Sequence, residues 1–194
     1  MMKRTLSLIL ASLCLIATLP AFATAITDDQ IDRFLVSVPV TSDLLDQVRA
    51  KLKQDEGLSK KLAVAQLDGK YMREIVSTIK SWPEYPELEK LVKTSGFDSV
   101  DDWSLVVDRV FGVVSSAHWV TLVASMPIPN GPKPVLEQDS NLFEYLGDEA
   151  NDSKMREKYG QQLAQMCEKM CYDTADLPVV GARYNEIESV INKK

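Results

Sequence analysis

Apolar positions recur three and four apart along most of the chain, and the stretches between them are marked by caps, glycines and prolines. Thr27-Asp28-Asp29-Gln30 has the reciprocal capping pattern, in which the threonine and glutamine side chains each satisfy a backbone N–H left over at a helix start. It predicts a short helix burying Ile31, Phe34 and Leu35 and stopped by Pro39. A second helix is expected from about Ser42, carrying Leu44, Leu45, Val48 and Leu52 until Gly57. A third stretch, from Ser59 to about Ser81, shows Leu62, Ala65, Tyr71, Met72, Ile75, Val76 and Ile79, with Gly69 as a break or a weak point. Trp82-Pro83 closes it. Pro86 suits a first helical position, Leu88, Leu91 and Val92 make the apolar face that follows, and Gly96 ends that helix.

Ser99-Val100-Asp101-Asp102 is a further cap, with two acids where the helix dipole favours them, and it opens the longest element, running to Met126. No charged residue occurs between Val110 and Met126. A helix exposed along one side would not be so uniformly uncharged, so this one is expected at the centre, surrounded by the others. Seven valines from Val106 to Val123 would also suit strands. The acidic cap and the stripe Trp103, Val107, Val110, Val114, Ala117 favour the helix. A membrane span is the other competing reading of Val110–Met126. Ser115, Ser116, His118, Thr121 and Ser125 within it argue against lipid.

Four of the nine prolines fall between Pro127 and Pro134, beside Asn130-Gly131, so residues 127–135 read as an extended loop. It separates a helical core, 26–126, from C-terminal helices, 136–194, that pack back on it. Those helices are expected at about Leu136–Leu146, from Ser153 to about Tyr172, and from Leu177-Pro178 onward. The fold class is all-α, an irregular multi-helix bundle around a central apolar helix at about residues 100–126.

Residues 1–25 read as a cleavable signal peptide: Lys3 and Arg4, an uncharged apolar run from Leu6 to Leu19, then small residues after Pro20. The run is shorter than the roughly 20 residues a membrane-spanning helix requires. Ala21-Phe22-Ala23 and Ala23-Thr24-Ala25 both have the small-x-small pattern. The second is favoured because Thr27 then stands ready to cap the first helix, and the mature chain would begin at Ile26. The net charge is −6, and loss of the two leader cations makes it more negative. Nucleic acid and anionic membrane are therefore poor partners, since both attract basic patches.

The run Trp82-Pro83-Glu84-Tyr85-Pro86-Glu87-Leu88-Glu89-Lys90-Leu91-Val92, followed by Gly96-Phe97-Asp98-Ser99, Asp102-Trp103 and Val107-Asp108-Arg109-Val110, resembles a group of small uncharacterised helical proteins exported by Gram-negative bacteria. Their pattern is P-x-Y-x-E-L-x-x-L-V, then G-F-x-S-x-x-x-W, then a D-R pair. The resemblance covers about a third of the mature chain, and it implies a shared fold and a periplasmic address. It carries no catalytic residues to transfer.

Asp108 and Arg109 interrupt an apolar helix. Either they form a polar pair satisfying neighbouring helices or they contact a ligand. His118 is the sole histidine, which removes multi-histidine zinc and iron sites within one subunit. It could face Ser115 one turn away, but no strained elbow, oxyanion loop or nearby orienting acid accompanies it, so a core or interface role is expected. Cys167 and Cys171 are the only cysteines past the leader, in Met166-Cys167-Glu168-Lys169-Met170-Cys171. A disulfide between them is a candidate in an oxidising compartment, although β-carbons four apart on a helix stand ~5–6 Å from each other and a disulfide wants ~3.5–4.5 Å. With Met166 and Met170 the same residues would suit a soft ion such as Cu(I). The wheel also places Met155, Tyr159, Leu163, Met166, Cys167 and Met170 on one stripe, as an ordinary core face would be.

No glycine-rich phosphate loop, C-x-x-C pair, haem attachment motif or H-E-x-x-H occurs, and no cofactor is implied. The function expected from these features is non-catalytic: a periplasmic helical protein that binds a protein, a peptide or an envelope component. The alternative is a thiol-based metal or redox protein using Cys167 and Cys171.

Overall fold

A computed structural model describes residues 24–125 and 173–193. The signal segment up to residue 23, the proline-rich loop 127–135 and the helices expected at 136–146 and 153–172 lie outside the described residues, as does Met126. The described chain is an all-α helical bundle with no strand among its residues. In chain order the helices are α1 (Asp28–Leu52), α2 (Glu56–Leu67), α3 (Tyr71–Ile79), α4 (Tyr85–Thr94), α5 (Val100–Ser125), α6 (Leu177–Ala182) and α7 (Tyr184–Ile191). A 3-10 turn, Thr174–Asp176, precedes α6.

The capping box forms as its spacing predicts. The Gln30 N–H donates to Thr27 Oγ1 at 3.2 Å and the Thr27 N–H to Gln30 Oε1 at 3.0 Å. Pro39, however, does not end the first helix: α1 continues through it to Leu52. A proline removes one ladder hydrogen bond and crowds the preceding turn, and here hydroxyls from either side of it take up backbone carbonyls of the residues before it. Ser37 Oγ donates to Phe34 O and Thr41 Oγ1 to Ser37 O, both at 2.8 Å. The Trp103 indole of α5 then donates to Ser37 Oγ at 3.0 Å in the core. This tertiary bond fixes the proline-bearing turn.

Gly57 does not terminate a helix either. α2 starts at Glu56 because Asp55 caps it, accepting from the Leu58 N–H at 3.0 Å. The break at Gly69 is complete. Its φ of 62° lets the Gly69 N–H reach Gln66 O at 3.2 Å and the Lys70 N–H reach Ala65 O at 2.8 Å, the paired bonds of a left-handed helix stop. Gly96, at φ 92°, repeats the device after α4: its N–H reaches Lys93 O at 3.0 Å, and the Phe97 N–H reaches Val92 O at 3.3 Å. Phe97 is buried as the chain turns, and Ser99 Oγ accepts the Asp102 N–H at 3.0 Å to start α5.

α5 contacts α1, α3, α4, α6 and the 3-10 turn. Trp103, Val106, Val107, Val110, Val113, Val114 and Ala117 are all buried, each contributing on the order of 1 to 3 kcal/mol by leaving water. Phe111 meets Phe34 of α1 edge to face, with ring centroids 6.2 Å apart. Leu177, Val180 and Ile187 from α6 and α7 enter the same core. Ion pairs tie the helices together at the surface: Lys51 of α1 with Glu84 just before α4, Lys61 of α2 with Glu74 of α3, and Lys80 after α3 with Asp101 of α5 at 3.1 Å. The Lys51 ammonium holds the Glu84 carboxyl below its usual range. Among the described residues no helix is long and apolar enough to cross a membrane.

Candidate functional site

Past its acidic first turn, α5 carries three ionisable side chains, Asp108, Arg109 and His118, and each finds its partner on a different element. Asp108 is buried and faces the start of α3, where Lys70 supplies no side-chain cap. Its Oδ1 accepts the Met72 N–H at 2.7 Å, and its Oδ2 accepts the Arg73 N–H at 3.1 Å and Arg73 Nε at 2.9 Å. Arg73 Nη2 also donates to Gly69 O at 3.0 Å. A carboxylate from one helix thus caps another, where the helix dipole favours negative charge.

Successive helical residues point about 100° apart, so Arg109 goes elsewhere. Its Nε donates to Asp176 Oδ2 at 2.8 Å and its Nη2 to Asp176 Oδ1 at 2.5 Å, the two-pronged geometry suited to guanidinium and carboxylate. Asp176 is fully buried. Its Oδ1 also accepts the backbone N–H of Ile26 at 2.8 Å, and Arg109 Nη2 reaches back to Thr24 O at 2.9 Å. One carboxylate therefore joins the residues before α1, the middle of α5 and the turn leading into α6. Asp108 and Arg109, neighbours in sequence, serve different sides of α5.

His118 is not a core residue. Its side chain is 56% exposed, and its Nε2 pairs with Glu188 Oε1 of α7. The imidazole meets the Tyr184 ring edge to face, at a centroid distance of 6.2 Å. Burial, then the hydrogen bond to Glu188 and its negative charge, push the Tyr184 phenol up to about 12. Ser115, the serine that spacing put beside this histidine, is exposed on α5. Next to the cluster, Arg183 pins the start of α7 to α1 through Asp32 at 2.8 Å while also pairing with Glu186 at 2.7 Å. Glu186 first and Asp32 second raise its already high pKa.

No family model matches the sequence, and no curated protein or solved structure matches the chain. Among the described residues no group of three or more His, Cys, Asp or Glu side chains is placed to hold a metal ion. Cys167, Cys171, Met166 and Met170 lie outside the described residues.

Asp176, Ile26, Glu188 and Tyr184 are the participants that sequence reasoning missed. Asp176 sits in Asp173-Thr174-Ala175-Asp176, which looks like any polar helix end. The one signal for it in the sequence is Arg109, a cation on an apolar helix, whose charge calls for an acid on a neighbouring element.

Proposed function

We propose that this chain is a non-catalytic helical domain of the periplasm, exported through the leader 1–25, that binds a protein, a peptide or another envelope component. The observation that carries this reading is how the ionisable groups of α5 are used. Asp108 and Arg109 are taken up in ties between helices, so the polar interruptions of the apolar helix build a scaffold. α5 serves that scaffold as its central helix, with α1, α3, α4 and α6 around it. The leader pattern supports the address, and so does the resemblance of Trp82 to Val110 to exported helical proteins.

Photocrosslinking in cells tests this directly, with a crosslinkable residue placed at exposed Val40 of α1 or at Leu105 of α5. The expected result is a processed protein in the periplasmic fraction with a reproducible set of envelope adducts. Turnover by the purified protein on hydrolase or oxidoreductase substrate panels would overturn the non-catalytic reading.

A second reading is favoured by the M-C-x-x-M-C spacing of Met166 to Cys171, which offers thiolate and thioether donors to a soft cation or a thiol pair to redox chemistry. Thiol counting and elemental analysis of protein isolated from the periplasm decide it. Stoichiometric copper, or thiols that cycle between oxidised and reduced forms, would support it. Inert metal-free thiols would end it.

A further inference from the structure

Ile26 combines three features. Its side chain is buried at 1% exposure, its backbone N–H ends on a fully buried carboxylate, and it directly follows the Ala23-Thr24-Ala25 pattern of a leader-peptidase site. An ordinary backbone amide needs only a neutral acceptor such as a carbonyl. Here it meets Asp176, a full negative charge without exposure to solvent, already shared with Arg109. We propose that the bond between Ala25 and Ile26 is the processing site, and that the ammonium group released on Ile26 seats on Asp176 as its second cation, clasping α1 to the turn before α6.

The chemistry is a hydrolysis. Water cleaves the bond between the Ala25 carbonyl carbon and the Ile26 nitrogen: its oxygen stays with Ala25, which leaves with the leader as a carboxylate, while the Ile26 nitrogen keeps the electron pair of the broken bond and takes both protons of the water to become ammonium. No oxidant or cofactor is involved. The reaction converts a neutral N–H donor at 2.8 Å from Asp176 Oδ1 into a charged one, so a hydrogen bond already assisted by the carboxylate's charge becomes an ion pair. Ala25 is only half-buried and Thr24 is exposed, so their departure opens the amine's remaining protons to water. Arg109 Nη2 loses Thr24 O and keeps Asp176 Oδ1. The buried Ile26 side chain anchors the new terminus in place. Cleavage two residues earlier, after Ala23, would leave Ile26 an amide and Asp176 with one cation.

This proposal rests on export through a cleaved leader, and its failure can be told apart from the failure of that reading. The protein expressed from its full sequence is recovered from the periplasm, and its amino terminus is determined by intact mass and terminal sequencing. A start at Ile26 is expected. A start at Thr24 overturns the seat on Asp176 and leaves export standing, and an unprocessed chain retained in the cytoplasm overturns both.

The Ile26-start protein is then treated with an amine-acylating reagent. The α-amine of the native protein is expected to react at least about tenfold more slowly than in the denatured chain, corresponding to one unit of proton affinity gained from the carboxylate. D176N is expected to lose that protection. Equal rates in native and denatured protein overturn the proposal even if D176N fails to fold, and so does full protection in a folded D176N.

Discussion

At the scale of single residues, Asp108 shows how much one side chain can hold. Its two oxygens satisfy two backbone N–H groups at the start of α3 as well as the Arg73 guanidinium. Asp108→Ala strands the Met72 and Arg73 amides, and a buried donor left without a partner costs about 1 to 3 kcal/mol. Arg73 adds little to that loss, because its half-open guanidinium can turn to water. A destabilisation of about 3 kcal/mol is expected in urea unfolding, with Asp108→Asn falling between the variant and the parent because it keeps one acceptor.

Tyr184 gives a second test at this scale. Its proton is held more tightly in the folded chain, so its contribution to stability is complete below the ordinary value of 10.0 and is lost as pH rises through about 12. The difference in phenolate absorbance between the parent and Tyr184→Phe should therefore titrate near 12. Glu188→Gln should move it partway down, since burial, the larger cause, remains. Of these residues the sequence singled out Asp108. Tyr184 and Glu188 gave no signal, because nothing in the sequence of α7 says that a histidine from α5 arrives there.

At the scale of elements, starts and stops were legible where they depend on neighbours three or four residues away. Thr27 and Ser99 cap as their spacing demands, and Gly96 stops its helix with the left-handed turn that glycine adopts cheaply. Pro39 was misleading for a physical reason. Its cost is local and visible, whereas its compensation comes through Ser37 from Trp103, 66 residues away. The glycines supply a test with opposite signs. Gly69→Ala and Gly96→Ala should each lose about 1 to 2 kcal/mol, the penalty of a β-carbon in the left-handed region. At Gly96 the added carbon meets only the Arg33 side chain at ordinary contact distance, so the loss there is one of backbone conformation. Gly57→Ala lies inside α2 and would ordinarily gain up to about 1 kcal/mol. Its β-carbon would stand 3.2 Å from the capping oxygen of Asp55, so thermal denaturation should show a gain well short of that.

For the whole molecule, the all-α class and the burial of the α5 stripe could be read from periodicity, while the closure of the fold could not. The closure depends on Asp176, whose partners lie 67 and 150 residues away. Arg109→Leu takes the guanidinium from this buried carboxylate and should cost about 3 kcal/mol, the low end of the usual penalty for breaking a buried pair from one side, because the Ile26 nitrogen still donates to it. The double variant Arg109→Leu with Asp176→Leu should recover most of the loss in a double-mutant cycle, falling short of the parent because the Ile26 N–H then has no acceptor. A bond that spans so much of the chain also orders events in time. Ribosomes deliver the N-terminal helices first, so α1 to α5 can associate while the segment carrying Asp176 is still being made. Ile26, just ahead of them, cannot be sealed against water until Asp176, 150 residues further on, has been synthesised, and through that interval the nascent protein keeps an open flank that a holding chaperone can grip.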